Sequence, residues 1–368
     1  MSEVKFIPFQ HTHKALKTKF LRSFEKMIDD RWYILGKGLN EFEEKWAEYC
    51  GTEYSIGVGN GFDAIYLCLK SLGIKPGDEV IVPAHTFAAT ALPIINIGAK
   101  PILVDVNPKT FCIDTENISH SITEKTKAIL IVHIYGNPCE MDEILAISEK
   151  HQIPIIEDNA QAHGASYNNH KTGSFGILSA VSFYPIKNLG ALGDGGAVNT
   201  NSIEHYEKIN LLRNYGSPDK HEFKLAGINS RLDEIQALLL SIQLDYLDEW
   251  NEQRISIAKI YNKRLSGLME VQIMEPNKKG QCVYHIYPIL CDDRDSLRSF
   301  LKKSKIDTMV HYPQPYFLEN AFKQLQHAEG DFPVSERICK QELSLPIYPG
   351  LSQDEANFVC DKIVEFFK

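Results

Sequence analysis

AILIVHIYG (residues 128–136) and IPIIED (153–158) decide the fold. Each is a short, nearly continuous apolar run of the kind a strand covered on both faces requires. EVIVP (79–83), PILVDV (101–106) and AVSFYP (180–185) repeat the pattern, with helix candidates between them. In 60–73, Phe62, Ile65, Tyr66, Leu69 and Leu72 recur at helical spacing. The alternation predicts an α/β fold with a mostly parallel sheet from about residue 55 to 200. Ligands of such sheets gather at the carboxyl ends of the strands. After Asp233 the texture changes. Ile235, Leu238, Leu239, Ile242 and Tyr246 mark one helix, and a second candidate covers Arg254 to Leu268. A strand-like VYHIYPIL (283–290) follows, then a helix near 295–303. The last helix begins at Ser352, with Glu355 at capping-box spacing. We place a boundary near residue 248, giving a large α/β domain (1–248) and a smaller C-terminal α+β domain (249–368).

The composition, 43% hydrophobic and 24% charged over 368 residues, is that of a globular chain with ample core material. Net charge is −9, with no basic block, so nucleic acid and anionic membrane are not expected partners. The eight cysteines are scattered, with no CxxC pair, so no metal site is expected. Free cysteines in apolar runs fit a reducing cytosol, and no stretch is long enough to span a bilayer.

Two charged residues stand at predicted strand ends. Asp158 closes IPIIED, where a buried carboxylate needs a cationic or hydrogen-bonding partner. Lys187 lies in SFYPIKNLGALGDGGA (182–197), between an aromatic stretch and a glycine-rich loop. Alone, Asp158 reads as a loop cap or ion-pair member, and Lys187 as a surface lysine or phosphate contact. Together they meet the demands of pyridoxal 5′-phosphate, which needs a lysine to form an imine and an acid to keep its ring nitrogen protonated. GVGNGFDAIYLCLK (57–70) leads glycines into a helix whose free N–H groups suit a phosphate. Ser182 offers a hydroxyl, and Phe87 in PAHTFAAT (83–90) offers a ring for stacking or, equally, for the core.

PAHTFAAT, EDNAQAHGA (157–165), SFYPIKNLGALGDGGAV (182–198), LRNYGS (212–217) and GINSRLDEIQA (227–237) occur in the order and spacing of one family. By these motifs the chain resembles the DegT/DnrJ/EryC1/StrS sugar aminotransferases, which have the aspartate aminotransferase-like fold (fold type I), with a large domain of mostly parallel sheet and a smaller C-terminal one. The resemblance implies that Lys187 binds the cofactor covalently, Asp158 pairs with the pyridinium nitrogen, Gln161 contacts the ring or its phenolic oxygen, and Ser182 holds the phosphate. It also implies a homodimer with shared active sites, in which Asn229 reaches the partner's phosphate. Family members often have threonine where this chain has Phe62, so the N–H groups of Gly61 and Phe62 must carry that side of the cradle. Many have histidine where Tyr184 stands.

The resemblance is strongest to the branch that aminates C3 of dTDP-linked 3-keto-6-deoxyhexoses, with L-glutamate as donor, for glycan or natural-product biosynthesis. Tyr184, His311 and Tyr312 are candidates for contacting hexose or diphosphate, and Arg213 and Arg231 for holding an anionic group. Each of these also has a plainly structural reading, as a core aromatic, a satisfied histidine or a surface ion pair. A C4-keto sugar aminotransferase of the same family is the nearest alternative. A C3 deoxygenase would carry histidine in place of Lys187, and a non-enzymatic sensor would be expected to lose the lysine or the acid. A dinucleotide-dependent oxidoreductase would need GxGxxG, which SIGVGNGFDAIYL (55–67) lacks.

Overall fold

The computed structural model describes residues 3–8, 10–218 and 221–368. The strands in chain order are β1 (Tyr54–Val58), β2 (Glu79–Pro83), β3 (Lys100–Val104), β4 (Thr126–Val132), β5 (Ile155–Asp158), β6 (Ser166–Tyr167), β7 (His170–Lys171), β8 (Leu178–Ser182), β9 (Gly196–Thr200), β10 (Gln272–Ile273), β11 (Gly280–Gln281), β12 (Tyr287–Leu290) and β13 (Glu342–Leu345). The main sheet runs β1-β9-β8-β5-β4-β2-β3. Its β2–β3, β2–β4, β4–β5 and β5–β8 ladders are parallel, while β9 is antiparallel to both its neighbours.

Both faces of this sheet are covered, as the apolar runs require. Alternate residues feed different cores. Ile81, Ile129, Ile131 and Ile155 pack with the C-terminal residues Ala258, Tyr261, Ile289 and Val359. Val80, Val82, Leu130 and Ile156 pack with Leu67, Leu69 and Ile94 on the opposite face. Burying each such side chain contributes about 1.5–3 kcal/mol.

The strands are shorter at their carboxyl ends than the apolar runs suggested. The run 128–136 stops being strand after Val132, and Tyr135 then adopts φ 59°, ψ 7°. The run 180–185 leaves the sheet after Ser182. These are the positions where the sheet edge opens onto a cavity, so backbone and side chains there are used outside the ladder. The helix Gly61–Ser71 does not bury a single stripe. Ala64, Ile65, Leu67, Cys68 and Leu69 are all buried, because the helix is enclosed on several sides, while Phe62 is only partly covered.

The helix expected over 233–250 is broken. Glu234–Leu244 and Leu247–Leu265 are separate helices, and Tyr246 lies between them at φ −112°, ψ −3°. The break lets Leu247 join Leu240 and Leu244 in one core cluster while Tyr246 and Trp250 pack with Leu16 and Phe20 in another. Residue 248 falls in the first turn of the second helix, and we retain the division there as a proposal. Beyond it, β12 pairs with β10 and β13 in a small antiparallel sheet. The capping box at Ser352 is formed in both directions, Ser352 N–H to Glu355 Oε2 at 2.9 Å and Glu355 N–H to Ser352 Oγ at 3.2 Å.

The N-terminal segment crosses to this C-terminal part. Val4 is fully buried, donates its N–H to Lys305 O at 2.9 Å and accepts from Asp307 N–H at 2.9 Å. The Phe6 ring stacks on His311, with centroids 5.9 Å apart. All eight cysteines are free and buried. Among the described residues no helix is long and apolar enough to cross a membrane.

Candidate active site

A cavity of about 630 Å³ opens at the carboxyl ends of the central strands. Gly61, Phe62, Phe87, Asp158, Gln161, Ser182, Tyr184, Lys187, His311 and Tyr312 all line it. These residues lie far apart in sequence, and the register of the main sheet brings several of them together. Asp158 pairs with Val132 on one side and Ala180 on the other, and Ser182 pairs with Gly196.

One wall is the start of the helix Gly61–Ser71. Asn60 caps it, its Oδ1 accepting from Asp63 N–H at 2.8 Å, and Asn60 O accepts from Ala64 N–H at 3.1 Å. The first N–H groups of a helix have no partner within it, so those of Gly61 and Phe62 are left at the cavity wall. Gly61 is required by packing, because a Cβ there would lie 2.6 Å from Ser182 Cβ. The close approach sets the Ser182 hydroxyl beside the helix start. Hydroxyl, backbone donors and helix dipole together form a cradle for an anion.

The loop carrying Lys187 is pinned on several sides. Lys187 N–H donates to Tyr184 O at 2.8 Å, Ala191 N–H to Phe183 O at 2.8 Å, and Leu189 N–H to His163 Nδ1 at 3.2 Å. Asn188 Nδ2 donates to Asn251 Oδ1 at 2.8 Å. Position 190 must be glycine, since a Cβ would meet Pro185 O at 2.3 Å. Burial pushes the Lys187 amine down to about 8, an effect opposed by the Asp158 charge. The neutral, nucleophilic amine therefore becomes the majority form above about pH 8 instead of near 10.5. We predict that cofactor-free protein captures an aromatic aldehyde phosphate with a rate that rises with pH and levels off above about 8, followed by stopped-flow absorbance. A rise continuing to pH 10 contradicts the lowered amine.

Asp158 is buried and, among the described residues, forms no salt bridge to a cation. Its Oδ2 accepts from the Thr90 hydroxyl at 2.9 Å and its Oδ1 from Ala160 N–H at 3.1 Å. Burial raises its carboxyl above the ordinary range, and these two donors, Lys187 and His133 act against that. A buried carboxylate at a cavity wall with only neutral donors on it is suited to a cationic ligand group. Glu157, its neighbour in sequence, faces away and is saturated by His133 Nε2 at 2.9 Å and the N–H groups of Gly173, Phe175 and Gly176.

Phe87 is 57% exposed, although it lines the cavity, and its ring lies 5.6 Å from that of Tyr312. It presents an open aromatic surface to the cavity. Lysine, carboxylate, aromatic face and anion cradle are what a phosphorylated pyridine aldehyde needs. The residues of the cavity fit pyridoxal 5′-phosphate, with Lys187, Asp158, Phe87, Gln161, Ser182 and the Gly61–Phe62 amides to hold it.

Tyr184 is exposed at the cavity mouth. His311 is buried, its Nδ1 2.8 Å from Ser344 Oγ, and burial followed by the Lys187 charge pushes its imidazole down to about 4. The structure also brings to the wall residues not singled out from sequence. Thr86 and Thr90 are linked at 2.9 Å behind Asp158, and His285 is buried with its Nδ1 3.2 Å from Asn188 Oδ1. Thr86 and Thr90 lie in PAHTFAAT, so their place beside Phe87 was the available signal. His285 gave none beyond its position in a strand-like run.

Three candidates lie outside the cavity lining. Arg213, which from sequence reads as either an anion holder or a surface ion-pair member, is buried and committed to Glu43 and to Gly57 O, the latter at 2.7 Å. Its place in this chain is structural, because Glu43, itself buried, takes the charge that a ligand would need. Arg213→Ala leaves the Glu43 carboxylate unpaired, and we expect a loss of about 3–5 kcal/mol in urea unfolding. Unchanged stability with weakened ligand binding would reverse this assignment. Asn229 is exposed and donates to Tyr215 Oη at 2.8 Å, and Arg231 donates to Asn214 Oδ1 at 3.0 Å with its guanidinium 5.8 Å from the Tyr215 ring centroid.

The family model described as the DegT/DnrJ/EryC1/StrS aminotransferase family matches residues 14–364. The chain is 41% identical over 367 residues to a protein of Geobacillus stearothermophilus named as a pleiotropic regulatory protein, covering 99% of each. It is 41% identical to the dTDP-3-amino-3,6-dideoxy-α-D-galactopyranose transaminase of Aneurinibacillus thermoaerophilus, covering 98% of each. Among solved structures, the crystal structure of S. venezuelae DesV in complex with a ketimine intermediate superposes with a TM-score of 0.97 at 40% identity, covering 100% of this chain and 99% of that one. With the lysine, the carboxylate and the anion cradle in one cavity, these matches lead to one conclusion: the chain belongs to the DegT/DnrJ/EryC1/StrS aminotransferase family.

Proposed function

We propose that the protein transfers an amino group from L-glutamate to the C3 keto group of a dTDP-linked 3-keto-6-deoxyhexose. The observation that carries amino transfer is the placement of Lys187, Asp158, Gln161 and Ser182 on one cavity beside the free helix start at Gly61. The choice of sugar rests on similarity to the transaminase of Aneurinibacillus and on Tyr184, where many members have histidine.

Pyridoxal phosphate, when bound, supplies a lysine-reactive carbonyl and an electron sink. Lys187 would hold it covalently through its amine and, when freed, would act as the general base and acid that moves a proton at the reacting carbon. A lowered amine pKa suits that task, since the neutral form is accessible near neutral pH. Asp158 would keep a cationic ring nitrogen protonated, and its burial would strengthen that pairing. Ser182 and the amides of Gly61 and Phe62 would bind the phosphate. Tyr184, His311 and Tyr312 line the side left for the hexose.

Among the described residues the lining includes no arginine, while donor and acceptor both carry anionic groups. We propose that a second copy of this chain supplies them, with exposed Tyr215 and Asn229 and half-buried Arg231 entering the partner's cavity. The deciding experiment compares dTDP-3-keto-6-deoxyhexose and dTDP-4-keto-6-deoxyhexose as acceptors with glutamate, identifying products by NMR. Selective amination at C3 supports the proposal. Equal or better turnover of the 4-keto sugar overturns the regiochemistry, and turnover of a UDP-sugar in preference overturns the nucleotide.

A further inference from the structure

Behind the cavity wall, and outside its lining, lies a buried polar cluster of Tyr135, His85 and Cys339 that no part of the proposed reaction uses. Its centre is Tyr135, fully buried and in the left-handed region at φ 59°. That backbone turn sends its two polar groups to different sides of the site. Its N–H donates to Gln161 Oε1 at 2.6 Å, while its hydroxyl donates to His311 O. His85 Nε2 lies 2.7 Å from the same hydroxyl, and Cys339 Sγ lies 3.7 Å from His85 Nδ1.

The directions of these bonds are determined. A carbonyl only accepts, so the Tyr135 hydrogen is spent on His311 O and its oxygen must accept from His85. His85 therefore carries its hydrogen on Nε2. Burial pushes this imidazole down to about 4, so it is neutral at ordinary pH and Nδ1 is left as the acceptor facing the Cys339 thiol. On the other branch, Gln161 Oε1 is taken by Tyr135 N–H, which fixes the amide so that Nε2 donates to Tyr312 Oη at 3.1 Å. Neither an amide flip nor an imidazole flip preserves all of these bonds.

We propose that Tyr135, held by His85, is a positioning residue that sets the His311–Tyr312 segment as the hexose-side wall. Tyr135 and His85 do not line the cavity, and they act through Tyr312, His311 and Gln161, which do. The inference rests on the nucleotide-sugar reading above. Its two branches carry different loads. Removing only the Tyr135 hydroxyl frees the His311 carbonyl, while the Tyr135 N–H bond to Gln161 is retained.

The test uses holoprotein and two unreactive probes, dTDP and dTDP-glucose, titrated by calorimetry. For Tyr135→Phe we expect the Kd of dTDP-glucose to rise about 5–10-fold, the range of one lost hydrogen bond. The Kd of dTDP should stay within about twofold, and the visible absorbance and circular dichroism of the bound cofactor should be unchanged. An unchanged Kd for dTDP-glucose, equal weakening of both probes, or loss of the cofactor band overturns the positioning role. If Tyr135→Phe does not fold, His85→Gln and His85→Leu decide. Glutamine keeps an N–H for the Tyr135 oxygen, so dTDP-glucose binding should fall between wild type and His85→Leu, and identical behaviour of the pair overturns the proposal. Wild-type protein that binds neither probe strikes the nucleotide-sugar reading first, a result distinct from normal wild-type binding with an unaffected variant.

Discussion

Lys187→Ala will lose the visible absorbance band of the lysine-bound cofactor and nearly all turnover. Two contributions vanish together. The covalent anchor goes, and with it the amine that carries the proton at the reacting carbon. Positioned proton transfer alone is worth about 10²–10⁴-fold. The loop around position 187 is held by backbone bonds and by Asn188 and Leu189, none of which involves the Lys187 side chain. The variant should therefore fold with unchanged thermal stability, and an added primary amine should restore part of the rate. A variant that retains the normal band would remove Lys187 from the chemistry and rule out amino transfer through this lysine.

Asp158→Asn carries the second largest effect. Asparagine keeps one oxygen to accept from Ala160 N–H, and its amide nitrogen can donate to the Thr90 hydroxyl oxygen, so shape is nearly preserved, but the charge is gone. In a buried site, losing one fixed electrostatic partner costs about 10²–10³ in kcat. The variant should bind the cofactor and show its band, yet turn over slowly with glutamate in single-turnover measurements. The loss should be larger in kcat than in the KM for either substrate, because the carboxylate matters most when charge develops on the ring. An equal rise in KM with kcat unchanged would make Asp158 a binding residue only. Asp158 also holds up the Lys187 amine, so the variant's aldehyde-capture profile should move to lower pH.

The gathering of Asp158, Ser182 and Lys187 on one cavity was legible in sequence because each residue sits beside a strong local signal. Asp158 ends an apolar strand, Ser182 ends another, and Lys187 follows in a glycine-rich loop. In a parallel sheet those ends share one edge, so period and punctuation were enough to gather them. The residues that were missed or left with two readings depend on partners distant in sequence. Nothing near Arg213 indicates that Glu43 will meet it, and the two meet only because the helix Lys37–Cys50 lies against β1. Tyr135 looked like the end of a strand. Its positive φ, which turns one residue toward both Gln161 and His311, has no signature in AILIVHIYG, since left-handed backbone is ordinarily marked by glycine or asparagine. The broken helix near Tyr246 likewise follows from two separate cores competing for one apolar face.

The placement of Phe6 against His311 gives the N-terminal segment an influence on a distant part of the chain. Val4 is locked to Lys305 and Asp307, so the aromatic ring two positions on is presented to the imidazole from behind. Removing these residues would strip the backing from the histidine while leaving every strand of the main sheet intact. On the proposed reading, affinity for the sugar moiety would then soften without any change at the lysine, a loss easily mistaken for a defect in chemistry.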